Sequence, residues 1–350
     1  MPPQAPKEIF LEILLQLADP PTVARFALCS RDSADIARHT LYRRISVAPE
    51  GRSSLFATLA SNSELSAFVN YLHIAKGGGI LCSADFYTAT AYMCNLKSLH
   101  IDCCIDVRGF IPAFRGSLRT FSYAEPLCDT LFQFLHQQSD ITALSLTALS
   151  LGNLKDQHIS PQFLPCLAEL LASPRDIPYL VRGRPVRRIK MDCSRHGQKY
   201  RLTVPFNFVQ TITVPLRRLE LLASQLQVVD AVEIQGLLPD LEELVVMQDT
   251  TWGKKRPTKD WWYNLAVFVD AITFMQKLRT LIVVTQFSRN HMRAIRDLLV
   301  EDCGAPCLRK LIIHSKTTCL EWPDRCLDIA TICTENLLAD CAAEHFCVSL

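Results

Sequence analysis

The sequence predicts an α/β fold in which a short helical unit, residues 1–48, leads into a curved solenoid of inner parallel strands and outer helices over residues 49–350. Three observations predict it. The first 47 residues carry three apolar stripes of helical period, one six-residue strand pattern recurs from Asn70 onward, and amphipathic segments separate its copies. A hydrophobic content of 49% with only 12 glycines in 350 residues describes a chain that builds a core.

The helical unit opens at Pro6-Lys7-Glu8-Ile9, where Ile9, Ile13, Leu14 and Leu17 fall three to four residues apart and make one stripe. Asp19 is placed to cap a second helix with Pro20 in its first turn, where a missing N–H costs nothing, and Val23, Phe26 and Ala27 repeat the stripe. Ser30 is the N-cap expected for a third helix running through Ala34 and Ala37 towards Leu41. Three helices of this length enclose too small a core to stand alone, so a partner surface is expected.

This segment resembles an F-box. The resemblance rests on Ala5-Pro6-Lys7-Glu8-Ile9, on the leucine-rich stretch from Leu11 to Leu17 ending at Ala18-Asp19-Pro20, and on Leu28-Cys29-Ser30-Arg31. Leu41-Tyr42-Arg43-Arg44-Ile45 is similar to the strand entry of fungal-type members. Two positions depart from the pattern: Ala5 stands where leucine is usual, and Asp32-Ser33-Ala34 replaces an early aromatic of the third helix. The resemblance implies that Pro6, Ile9, Ile13, Leu14 and Leu28 face a Skp-type adaptor.

The strand pattern reads apolar, two variable, apolar, one variable, apolar, as in Leu96-Lys97-Ser98-Leu99-His100-Ile101 and Leu216-Arg217-Arg218-Leu219-Glu220-Leu221. Its central apolar residues lie at 72, 99, 121, 144, 189, 219, 244, 281 and 311, in steps of 27, 22, 23, 45, 30, 25, 37 and 30. Most of these steps are the length of a leucine-rich repeat or slightly more, and the 45 is about two, which places a degenerate or helical unit near residues 161–173. Segments 127–135, 163–171, 226–238 and 261–275 have the amphipathic period of outer helices. A doubly wound sheet would also alternate strand and helix, but it does not require one shared strand pattern.

A formal net charge of +2 gives no global attraction to nucleic acid or membrane, and no apolar run approaches the length of a membrane span. The N-terminus has no basic flank or apolar leader, so a cytoplasmic or nuclear location is expected, with the fifteen cysteines reduced and buried. Seven-residue steps between Cys319, Cys326 and Cys333 do not suit zinc, and no cofactor is expected. Lys76-Gly77-Gly78-Gly79 has its lysine on the wrong side for a phosphate loop and reads as a turn. His73, His100 and His314 show no serine, aspartate or cysteine at a spacing that reads as a nucleophilic site, so they are expected to be solvated strand residues.

An F-box-like segment joined to leucine-rich repeats is similar to the substrate receptors of SCF-type ubiquitin ligases. The resemblance implies a non-catalytic subunit that reaches cullin and a RING subunit through the adaptor and holds a target near a charged conjugating enzyme. Two alternatives stay open: a repeat scaffold acting outside any ligase, and an enzyme whose site follows no familiar spacing.

For target binding, variable strand positions place Arg187, Arg188 and Lys190 beside Arg217 and Arg218. Residues 175–201 hold nine basic and two acidic side chains, a local net of +7, suited to an acidic or phosphorylated segment. Glu220, Glu242 and Glu243 offset part of it. The stretch 250–262 carries three of the four tryptophans, and Trp252 next to Lys254, Lys255 and Arg256 has hot-spot composition. The last four residues, Cys347-Val348-Ser349-Leu350, loosely fit a prenylation box, against an acidic flank that would not favour a membrane.

Overall fold

The computed structural model describes residues 20–77, 80–147, 159–192, 206–222, 236–247, 272, 275–284, 308–314, 319–323 and 330–332. The chain divides into two compact units, Met1–Ile141 and Thr142–Leu350. Pro6, Ile9, Ile13, Leu14, Trp252 and Cys347 lie outside the described residues.

In the first unit, α1 (Pro20–Ala27) and α2 (Arg31–Arg43) meet at the turn that Ser30 caps, its Oγ accepting from the Ser33 N–H at 3.0 Å. Among the described residues their shared core is small. Val23 and Ala37 are buried, Phe26, Ala27, Ile36 and Leu41 only partly so, and Leu28 is 87% exposed. The chain then enters β1 (Arg44–Val47), which pairs in parallel with β2 (Tyr71–Ile74), followed by β3 (Ser98–Ile101) and β4 (Thr120–Tyr123) in sequence order. Helices α3 (Arg52–Ser61), α4 (Ser63–Phe68), α5 (Ala84–Tyr92), α6 (Val107–Ala113) and α7 (Asp129–Gln137) fill the connections.

Cap residues start these helices where the sequence supplies a short polar side chain: Asn62 accepts from Leu65 N–H, Ser83 from Phe86 N–H and Asp106 from Arg108 N–H. Leu72, Ile74, Leu99, Ile101 and Phe121 are fully buried, and an aromatic chain links strands to helices. Ring centroids of Phe56 and Phe86 lie 5.0 Å apart, Phe86 and Phe110 5.8 Å, Phe110 and Phe134 5.6 Å, and Phe134 and Phe121 6.2 Å.

The second unit continues with β5 (Ala143–Leu146), β6 (Glu169–Ala172), β7 (Arg188–Met191), β8 (Arg218–Leu222), β9 (Glu243–Met247), β10 (Thr280–Val284) and β11 (Lys310–His314), each parallel to the next. A short helix, α8 (Ile177–Val181), lies between β6 and β7. A hydrogen-bond motif repeats at the start of successive strands: the carbonyl of Arg187 accepts from the N–H groups of Arg217 and Arg218, and that of Arg217 from Glu242 and Glu243. The same pairing in the first unit joins Asn70 to Lys97 and Ser98. It satisfies two donors per repeat and fixes the register.

Two elements differ from the sequence expectation. The 163–171 segment is a turn followed by β6, whose centre, Leu170, divides the 45-residue step into 26 and 19. Phe163, Leu164, Leu167, Leu170 and Leu171 imitate a helical stripe, but Leu164 adopts φ 50, a left-handed conformation that interrupts a helix. The parallel order also ends at β11: β12 (Cys319–Pro323) and β13 (Ala330–Ile332) pair antiparallel, and neither carries the strand pattern.

Candidate interaction face

Side chains alternate across each strand, so one set enters the core and the other lines the opposite face, where Arg44, Ser46 and Arg188 are exposed while Thr120, Ser122, Ser145 and Ile282 are buried. The parallel register arranges the second set in rows. In the first unit Arg44, Tyr71, Ser98 and Thr120 make one row, and Ser46, His73, His100 and Ser122 the next. In the second unit the rows are Ala143, Glu169, Arg188, Arg218, Glu243, Thr280 and Lys310, then Ser145, Leu171, Lys190, Glu220, Val245, Ile282 and Ile312. Residues one repeat apart in sequence become neighbours about 5 Å apart.

The register brings Arg188, Lys190 and Arg218 together as the sequence predicts, and it interleaves them with carboxylates. Arg188 pairs with Glu169 at 3.0 Å and Lys190 with Glu220 at 3.2 Å. Arg218 reaches Glu220 at 2.5 Å and Glu243 at 3.3 Å, and Arg217 reaches Glu242 at 3.4 Å. Four cations thus meet four carboxylates, and although Arg188 and Arg218 are register neighbours the ladder is locally neutralised. Burial raises the Glu169 carboxyl above its usual range, with Arg188 and Arg218 pulling the other way. Arg187 is exposed, whereas Arg184, counted in the basic field, is fully buried. Beyond Glu220 the row turns apolar, with Val245, Ile282 and Ile312 forming a small cluster against Met247.

The ladder's members differ in worth. The Arg217–Glu242 pair is half-exposed, while Arg218 and Glu220 side chains are 13% and 9% exposed. Arg217→Ala is expected to cost at most about 0.5 kcal/mol, and Arg218→Ala about 2 kcal/mol, because the latter strips a buried carboxylate of a partner. Urea unfolding of both variants checks this. Equal losses would show that the ladder is solvent-screened throughout.

In the first unit the histidines are not solvated strand residues. Ser46 Oγ lies 2.9 Å from His73 Nδ1, and His73 Nε2 lies 3.0 Å from Asp102 Oδ2. His100 is 9% exposed, its ring 5.0 Å from that of Tyr71 and 6.3 Å from that of His73. Its Nε2 is buried without a hydrogen-bond partner among the described residues. Burial is the largest cause that lowers the His100 imidazole to about 4, followed by the nearby His73 and Arg44, while Asp102 opposes them. The Arg44 guanidinium lies over the Tyr71 ring at 5.0 Å.

Seven described cysteines are free thiols. Cys103 alone among them is buried; Cys29, Cys82, Cys94, Cys104, Cys128 and Cys166 are exposed, which corrects the expectation of buried thiols. They sit in loops and at helix starts, where an apolar neighbourhood in sequence does not become one in space. Among the described residues no group of three or more potential ligands is placed to hold a metal, and no helix is long and apolar enough to cross a membrane.

No family model matches the sequence, and no curated protein matches it. Among solved structures the chain is similar to the crystal structure of the leucine-rich repeat-containing protein LegL7 from Legionella pneumophila, with 14% identity and a TM-score of 0.45 over 77% of this chain and 82% of that one.

Proposed function

We propose that the chain is a protein-binding receptor whose strand face holds a target and whose N-terminal helices dock on a Skp-type adaptor, making it a substrate-recognition subunit of an SCF-type ubiquitin ligase. The observation that carries the binding role is this strand face, where repeat register sets charged and aromatic side chains in fixed rows and leaves Arg44, Ser46 and Arg188 exposed. The adaptor role rests on the F-box resemblance, and Leu28, an apolar side chain 87% exposed, supports it. The receptor transfers no ubiquitin itself. Cullin and the RING subunit join through the adaptor.

The ladder changes the expected target. With four of its cations already paired, an acidic or phosphorylated segment must compete with Glu169, Glu220, Glu242 and Glu243, so Arg187 and the Trp252 stretch are the better contacts to pursue.

The decisive experiment is adaptor co-purification. Ile9→Asp/Leu14→Asp is expected to abolish adaptor recovery while the repeat units keep their melting transition, because two unpaired charges would enter the interface. Equal recovery with both proteins would remove the receptor reading. A second reading, a repeat scaffold outside any ligase, is favoured by Ala5 and by Asp32-Ser33-Ala34, which depart from the adaptor-binding pattern. It predicts no adaptor even with the unaltered chain.

A further inference from the structure

We propose that Ser46, His73 and Asp102 form an acyl-transfer site in which Ser46 is the nucleophile towards carboxylic esters. This goes beyond the receptor reading and stands separately from it, since the adaptor test reads residues 9 and 14.

The three groups come from successive parallel strands. Ser46 and His73 are register partners on β1 and β2, and Asp102 follows β3 directly. Both links have hydrogen-bond length, 2.9 Å from Ser46 Oγ to His73 Nδ1 and 3.0 Å from His73 Nε2 to Asp102 Oδ2. A carboxylate only accepts, so the bond to Asp102 selects the tautomer with hydrogen on Nε2. That leaves the Nδ1 lone pair facing the serine hydroxyl, as general-base catalysis requires. Such a constellation is recognised by geometry and roles, and it recurs on unrelated folds.

The surroundings supply the other parts. Ser46 is exposed, so an ester carbonyl can reach it, and the sheet fixes all three backbones. Arg44 precedes Ser46 by two residues on the same face and is held over Tyr71, so its side chain is a cationic donor on the face from which an oxyanion would develop. The exposed edge of this face at β1 suits a small aryl ester or an ester carried on an exposed chain.

In the reaction, Ser46 Oγ bonds to the acyl carbon as its proton passes to His73 Nδ1. Asp102 stabilises the imidazolium. The bond from the acyl carbon to the leaving oxygen breaks, and that oxygen takes the proton from His73. Water then gives a proton to His73 and its oxygen to the acyl carbon, and the Ser46 Oγ–acyl bond breaks, with the proton returning to the serine. Ser46 and His73 are the catalytic residues, and Asp102 positions His73.

The test uses the full chain with a fluorophosphonate probe, which loses fluoride as Ser46 Oγ bonds to phosphorus, and with p-nitrophenyl acetate. The expected result is an adduct on Ser46, absent in Ser46→Ala, unchanged in Ser98→Ala on the same face, and formed about 100-fold more slowly in His73→Ala. Ester turnover is expected to follow the same order. Asp102→Asn should lose labelling that Asp102→Glu partly restores, with the melting transition of each variant recorded alongside. An unlabelled Ser46 in the unaltered protein, or labelling as fast without His73 as with it, would overturn the proposal.

Discussion

Arg184→Ala is expected to destabilise the second unit by about 4 kcal/mol. The side chain is fully buried and meets carbonyls in place of a carboxylate. Its Nε donates to Phe163 O at 2.5 Å, Nη2 to Ser160 O at 2.8 Å, and Nη1 to the carbonyls of Leu180, Arg182 and Tyr179 at 2.9, 3.0 and 3.2 Å. The guanidinium also lies 5.5 Å from the Phe163 ring centroid. One residue thereby ties the 160–163 turn to the end of α8. The neighbouring Gly183 has φ 72 and its place for a Cβ lies 3.2 Å from Pro161, so the backbone entering Arg184 is as specific as the side chain.

Truncation takes a donor from five carbonyls, of which Ser160 O keeps the Phe163 N–H, an unpaired one costing about 1–3 kcal/mol before relaxation, and opens a cavity beside Phe163. Burial lowers the Arg184 guanidinium to about 10, so it remains cationic at neutral pH and Arg184→Lys should recover part of the loss. Urea unfolding with a probe of the second unit measures both. A loss below about 1 kcal/mol for Arg184→Ala would mean that solvent replaces the arginine in the native state.

A second large effect follows from His100. Its imidazole ionises near 6.5 when unfolded and near 4 in place, so the unfolded chain binds the extra proton throughout that window. Stability is therefore unaffected by this group above pH 6.5 and falls as the pH drops from there towards 4. The loss is about 2 kcal/mol at pH 5 and about 3 kcal/mol at pH 4. His100→Gln removes the titration, and the difference in unfolding free energy between the two proteins, measured at about pH 7.5 and about pH 5, isolates it from the carboxylates. Parallel pH dependence in both proteins would show that His100 is hydrated in the folded state.

The repeat architecture was legible because its determinants are local. Leu72, Leu99, Phe121, Leu144, Ile189, Leu219, Leu244, Leu281 and Leu311 lie within their strands and are buried, as a six-residue apolar pattern requires. Ser30 caps α2 because a short polar side chain before an apolar stripe carries its own instruction. The pattern failed where local signals conflicted: the 163–171 stripe has a helix's period, and the left-handed backbone at Leu164 with the Arg184 carbonyl contacts decides against it. The contacts to Phe163 and Ser160 join residues more than twenty apart.

The chemistry of the strand face was decided by tertiary structure. Ser46 and His73 are 27 residues apart and His73 and Asp102 are 29, separations that signify nothing in a search for short motifs, yet each is about one repeat and stacking turns it into adjacency. The basic field shows the same effect with opposite outcome. Counted along the chain it is strongly positive, while register places a glutamate beside Arg188, Lys190, Arg217 and Arg218. By itself the sequence determined where nine of the strands lie, their central core residues and the approximate repeat length, but not β6, β12 or β13. Which polar groups touch depends on the lateral register of parallel strands, set by backbone hydrogen bonds between repeats that no single repeat contains.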